Sequence, residues 1–131
     1  MRALNNLIID DHTGFRELIR ELLGSCAAIL QFGIPRFIEC ASAEEALGVV
    51  AHTPPDLVTV DLHLPGMDGN ECIRTLRPAV PRAVIIVVTH LRDPSVSERA
   101  MRAGADAVVF KDDLSLIPAL VRECLAAGRP A

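Results

Sequence analysis

The chain contains neither tryptophan nor tyrosine, and four phenylalanines bring its aromatic content to only 3% of 131 residues. With no large rings to stack on bases and a net charge of -4, it lacks both the platform and the positive field with which a domain grips nucleic acid. Any DNA contact would need another module. No apolar run approaches the roughly 20 residues needed to span a bilayer. The opening MRALNN has no charged segment followed by an apolar core and a cleavage site, as a secretory signal would. A cytoplasmic location without a membrane partner is therefore expected. The four cysteines, Cys26, Cys40, Cys72 and Cys124, show no C-x-x-C spacing, which argues against a zinc site or a redox pair. They read as free, mostly buried thiols. No low-complexity stretch or internal repeat divides the chain.

Half of the residues are hydrophobic and 23% are charged, so the length suffices for one ordinary domain with a real core. We expect a single domain over residues 1–131, with a candidate C-terminal linker beginning at 127–131. Short apolar runs alternate with amphipathic stretches, the pattern of βα units. The candidate strands are LNNLII, RFIECA, DLVTV, AVIIVV and DAVVF. Several are nearly continuous in apolar and β-branched residues, as strands covered on both faces are, which predicts a parallel sheet.

The helical signals between them are specific. Phe15, Leu18, Ile19, Leu22 and Leu23 form one apolar stripe. Ser42 with Glu45 makes a capping box. A third helix is predicted from Gly69, burying Cys72, Ile73 and Leu76. Asp93-Pro94 opens a fourth and Gly104 stops it. The fifth is predicted from Ser115, which leaves Pro118 in the first turn, where a missing N–H is harmless. Segment GSCAAILQFGIPRF, ahead of the second strand, is either a prolonged first helix or an added loop. Five strands alternating with five helices make an α/β, (βα)5 doubly wound sheet, in which the functional crevice lies beyond the carboxyl ends of the strands.

Those ends are polar. Strand one stops at Asp10-Asp11, strand three at Asp61, strand four at Thr89 and strand five at Lys111. Each has an ordinary reading: an Asp of the first pair could cap the next helix, Asp61 could open a turn, Thr89 could be one more β-branched residue, and Lys111 a solvated lysine. Right-handed crossovers, however, bring all four ends to one edge of the sheet. Three carboxylates gathered there repel unless a cation offsets them. A hard ion such as Mg2+, which keeps several waters and takes one or two carboxylates directly, suits the site. Asp61 then has an oxygen free for aspartyl-phosphate chemistry, with ammonium and hydroxyl groups beside the developing charge.

The stretches LIIDDH, VDLHLPGMDG, VVTH and VVFKDD resemble, in order, the signatures of bacterial response-regulator receiver domains, over essentially the whole chain. The resemblance implies a CheY-like, flavodoxin-like sheet of strand order 2-1-3-4-5. It implies that Asp61 accepts a phosphoryl group from a phosphohistidine on a sensor histidine kinase or histidine phosphotransfer protein. Asp11 and Asp61 would ligate Mg2+ with the backbone carbonyl of His63, and Asp10 would act mainly through metal-bound water. Lys111 would pair with phosphoryl oxygens, and Thr89 would move to hydrogen-bond one of them. Such a domain is a phosphoacceptor that switches binding to a downstream protein target, not an enzyme acting on other substrates.

Departures from the family pattern are also legible. Where members usually carry Tyr or Phe three residues before the lysine, this chain has Val108, which removes the usual aromatic readout. Asp112 replaces the frequent proline after the lysine, and together with DDH this resembles the NarL/FixJ branch. His90 follows Thr89 where a small residue is common, so its ring is a candidate for narrowing access to the phosphoryl group. His12 is expected beside the acidic pocket, His52 at a helix end, and the His63 ring in solvent. Arg99, Met101 and Arg102 lie on the fourth predicted helix, which with the fifth strand and fifth helix is the candidate surface for partners or a homodimer. The residues bear on other readings too, and DDHTG disfavours a flavodoxin-like binder, whose first loop must cradle phosphate with neutral donors. A receiver fragment of a DNA-binding transcription regulator fits the AAGRPA end, and Val108 leaves room for a phosphorylation-independent interaction module. A magnesium phosphatase of the haloacid dehalogenase type would need an aspartate where His63 stands.

Overall fold

The computed structural model describes residues 2–128. Strands β1 (Asn5–Ile9), β2 (Arg36–Cys40), β3 (Leu57–Asp61), β4 (Val84–Thr89) and β5 (Ala107–Phe110) pair in parallel in the order β2-β1-β3-β4-β5. The α/β class and the 2-1-3-4-5 order expected from the sequence are both present. Helices α1 (Thr13–Gly24), α2 (Ala27–Leu30), α3 (Ala43–Val50), α4 (Gly69–Ala79), α5 (Pro94–Ala103) and α6 (Ile117–Ala127) fill the connections.

Period-two alternation divides the core into two layers. Leu7, Ile9, Val58, Val60, Ile85 and Val87 pack beneath α3, α4 and α5. Ile8, Leu57, Val84, Ile86, Val88 and Val109 pack beneath α1, α2 and α6. Because both faces are covered, β3 and β4 are buried along their whole length. Every apolar strand residue is therefore useful, which is why these runs read as continuous in the sequence.

Local capping explains most helix starts. Ser42 accepts the Glu45 N–H at 3.2 Å, Asp68 the Glu71 N–H at 2.9 Å, and Asp93 the Ser95 N–H at 2.9 Å. Gly104, at φ 125°, stops α5 in a conformation that a side chain would strain. Along α1, Ile19 and Leu23 are buried and Phe15 and Leu22 pack partly against the core, while Leu18 of the predicted stripe lies 41% exposed.

Three local expectations are corrected. Neither aspartate of the first strand end caps α1. Asp10 turns its Oδ1 back to the His12 N–H at 2.8 Å, and His12 Nδ1 accepts the Phe15 N–H instead, at 3.3 Å. Segment GSCAAILQFGIPRF is neither a longer first helix nor a simple loop. Ser25 ends α1, and the separate helix α2 buries Ile29 against the same core layer as α6. The last helix begins at Ile117, two residues beyond the expected Ser115, because a 3-10 segment over Lys111–Leu116 precedes it. Leu114, within that segment, and Ile117, the first residue of α6, are both buried in the core. Pro118 does lie in the first turn of α6. Of the candidate linker at 127–131, Ala127 ends α6 and Gly128 follows at φ 67°; residues 129–131 lie outside the described residues.

Candidate functional site

Register brings the polar strand ends together. Asp61 pairs with Val88, so Thr89 lies one step beyond it on β4, and Thr89 pairs with Phe110, so Lys111 lies one step beyond that. On the other side Ile9 pairs with Val60, and Asp10 follows directly. Asp10, Asp61, Thr89 and Lys111 are all buried, whereas Asp11 is exposed.

One carboxylate oxygen from each of Asp10, Asp11 and Asp61 falls within 4.8 Å of the others. Lys111 Nζ lies 2.9 Å from Asp10 Oδ2 and 3.1 Å from Asp61 Oδ2, to which it donates a hydrogen bond. Asp61 Oδ1 accepts the His63 N–H at 3.0 Å. The contact between Lys111 and Asp10 is an ion pair rather than an aligned hydrogen bond, so among the described residues the buried Asp10 Oδ2 is held by the ammonium charge alone. Burial is the main cause that pushes the Asp61 carboxyl above its ordinary value, and the Asp10 charge adds to it. The His63 N–H and the Lys111 ammonium oppose the rise without cancelling it. Three carboxylates thus face one cation, and all the free donors are hard oxygens. The residues fit a small divalent ion of the Mg2+ kind, with Asp10, Asp11 and Asp61 in reach of it.

The neighbouring backbone holds this geometry. Arg16 donates from its guanidinium to the Asp10 carbonyl at 2.6 Å and to Glu39 Oε1 at 3.3 Å, tying α1 to two strand ends. At Gly69, a Cβ would sit 2.5 Å from the Asp61 carbonyl oxygen. Only glycine lets the first turn of α4 close on the end of β3 this tightly. The Thr89 hydroxyl oxygen accepts the Leu91 N–H at 3.1 Å, which leaves its own proton free to be donated.

The other sequence candidates fall as follows. His63 is exposed and touches the site through its backbone. His12 lies beside the pocket as the cap of α1, His52 follows the end of α3, and His90 is exposed on the loop after β4. Val108 is half-buried and packs against the α3–α5 core layer. Arg99, Met101 and Arg102 are exposed on α5.

Sequence reasoning missed Arg16 and Phe15. The Phe15 ring centroid lies 4.0 Å from Lys111 Nζ. It also passed over a compositional signal: Lys111 is the only lysine among 13 basic residues, the others all being arginine. A compact ammonium at this one position is a chemical choice, since guanidinium presents a rigid fork and a broader charge.

A parallel doubly wound sheet with clustered carboxylates, a lysine and a threonine at its carboxyl edge defines a CheY-like receiver fold. The sequence profile of the response regulator receiver domain matches residues 7–122. The chain belongs to that family. It is 37% identical over 111 residues to protein-glutamate methylesterase/protein-glutamine glutaminase 1 of Syntrophus aciditrophicus (strain SB), covering 83% of this chain and 30% of that protein. It is likewise 37% identical over 106 residues to an uncharacterized transcriptional regulatory protein of Bacillus subtilis (strain 168), covering 81% and 47%. The chain therefore spans less than half the length of these relatives. Among solved structures, a LuxR-family two-component response regulator from Aurantimonas sp. SI85-9A1 superposes with a TM-score of 0.82 at 29% identity, over 97% of this chain and 88% of that one. A CheY-like receiver domain protein from Methanospirillum hungatei JF-1 gives 0.80 at 25% identity, over 95% and 94%. The LuxR-family neighbour agrees with the NarL/FixJ features of the sequence. Among the described residues no helix is long and apolar enough to cross a membrane.

Proposed function

We propose that Asp61 is the phosphoacceptor of this receiver, taking a phosphoryl group from a phosphohistidine on a sensor histidine kinase or a histidine phosphotransfer protein. The observation that carries this reading is Lys111 Nζ at 3.1 Å from Asp61 Oδ2, amid two further carboxylates that one ammonium does not neutralise. An Asp61 oxygen forms the new O–P bond as the N–P bond of the donor breaks, and the departing imidazole recovers its proton from water. Lys111 is placed to pair with the transferred phosphoryl oxygens, and the Thr89 hydroxyl to donate to one of them. Asp10, Asp11, Asp61 and the His63 carbonyl would hold Mg2+. When bound, the ion offsets the charge of the carboxylates and of the phosphoryl oxygens.

Residues 1–131 act in this reading as one cytoplasmic receiver module that catalyses only its own phosphorylation and dephosphorylation. The output is altered binding of a downstream protein, or of a second copy, through the surface of α5, β5 and α6. Val108 favours one second reading, a module that binds partners without phosphorylation, because it offers no ring to swing inward behind Thr89. Incubation with Mg2+ and a small phosphodonor, followed by intact mass, separates the two. Wild type should gain one phosphoryl mass and Asp61→Asn none. No gain by wild type with several donors would leave the passive module.

A further inference from the structure

We infer that Phe15 is a positioning residue for Lys111, holding the lone lysine against Asp61 and shielding it from water, and so setting the lifetime of the phosphorylated state. This rests on the phosphoacceptor reading above. The ammonium has three donors to place. One side of it meets Asp10 Oδ2 and Asp61 Oδ2, and another meets the face of the Phe15 ring, 4.0 Å from Nζ to centroid. The Lys111 side chain is only 4% exposed. An aromatic face attracts a cation through its quadrupole, and does so more strongly where water is excluded.

The ring itself is held in place. His12, which caps α1 through the Phe15 N–H, packs against it in a tilted contact with centroids 4.9 Å apart at 57°. His90, next to Thr89, meets it edge to face at 5.6 Å and 75°. Phe15 therefore touches residues from three segments that carry site groups: the Asp10-Asp11 loop, the Thr89 loop and the end of β5. Remove the ring, and the ammonium gains water as an alternative partner while one wall of the acyl phosphate's surroundings opens. Both changes shorten the life of the O–P bond.

Because Lys111 is the only lysine, protein labelled with 13C-lysine gives a single ε-methylene signal. A ring this close should shift its protons upfield in the unphosphorylated, metal-free chain. The shift should vanish in Phe15→Leu and persist in Phe15→Tyr. After phosphorylation with a small donor and Mg2+, the Phe15→Leu lifetime should fall roughly fivefold, the scale of one partly desolvated cation–π contact, and Phe15→Tyr should restore it. An unshifted wild-type signal overturns the inference whether or not any variant folds. An unchanged lifetime in folded Phe15→Leu overturns it as well. If wild type shows the shift but takes up no phosphoryl group, the positioning contact stands and the phosphoacceptor reading alone fails.

Discussion

The two edges of the sheet use the same side chains to opposite ends. Before β3 and β5, Asp56 and Asp106 are each matched to an arginine and to a backbone donor. Asp56 accepts both Arg2 guanidinium nitrogens at 2.6 Å and the Asn5 N–H at 2.7 Å. Asp106 accepts Arg77 at 2.9 Å and the Ile85 N–H at 2.8 Å. After β1 and β3, by contrast, Asp10, Asp11 and Asp61 cluster around a single lysine that contacts only Asp10 and Asp61, and Asp10 Oδ2 makes no aligned hydrogen bond among the described residues. A carboxylate that holds the fold together has its lone pairs satisfied within the chain. One whose lone pairs the chain does not fully match is open to a further partner.

The largest expected effect is on the satisfied edge. Arg77 also donates to the carbonyls of Gly104, Val80 and Ala83, at 2.8 to 3.1 Å for the first two and 2.7 Å for the last. Arg77→Met should therefore cost about 3–5 kcal/mol, the scale for breaking a largely buried pair, measured by urea unfolding. Loss of less than about 1 kcal/mol would place Arg77 with ordinary surface cations and erase the contrast. Asp56→Asn should cost less, about 1–3 kcal/mol, since the Asn5 N–H loses a charged acceptor.

On the other edge, Asp61→Asn should raise Tm by about 3 °C, the shift that roughly 1 kcal/mol gives a chain of this size. Asp11→Ala should abolish Mg2+ binding in calorimetry while leaving the fold at least as stable, because it thins the crowded carboxylates. Unfolding of that variant would make Asp11 structural.

The pH dependence of the two edges has opposite sign. Burial, the largest influence, raises the Asp61 carboxyl above 3.8. Its contribution to stability is therefore fully present below that value and lost as pH rises through the folded pKa. For Asp56 burial is again the largest single influence and acts upward, but the Arg2 hydrogen bonds, the Asn5 N–H and the Arg2 charge together carry the carboxyl below 3.8. Its contribution is present above 3.8 and lost as pH falls through the folded pKa. Melting wild type against Asp61→Asn and Asp56→Asn from about pH 3 to about pH 7 should give difference curves of opposite slope. The smallest expected effect is at His90: its replacement by Ala should shorten the aspartyl-phosphate lifetime about twofold, less than loss of Phe15 does, because His90 touches the ring and Phe15 touches the ammonium.

Much of this was legible in the residues. Apolar runs buried on both faces cannot hide among loops, so all five strands lie within a residue or so of their sequence limits. A charged residue at the end of such a run is conspicuous, which is why Asp10, Asp11, Asp61 and Lys111 stood out together. The cap of α1 was not legible, because Asp10 is a good cap by type and only the proximity of the His12 N–H diverts it. Nor was Phe15: at helical spacing with Leu22 and Ile19 it reads as core, and nothing local says that Lys111, just past the far edge strand, comes to lie on its ring.

Taken alone, the order of residues determined the class of sheet, the helix faces and which polar groups stand at strand ends, because period and capping act over a few neighbouring positions. The tertiary structure decided which oxygens lack a donor, which ring meets the lysine and which arginine closes the opposite edge. Those are questions of distance and angle between segments remote in the chain, and they are settled only once the sheet has fixed its register.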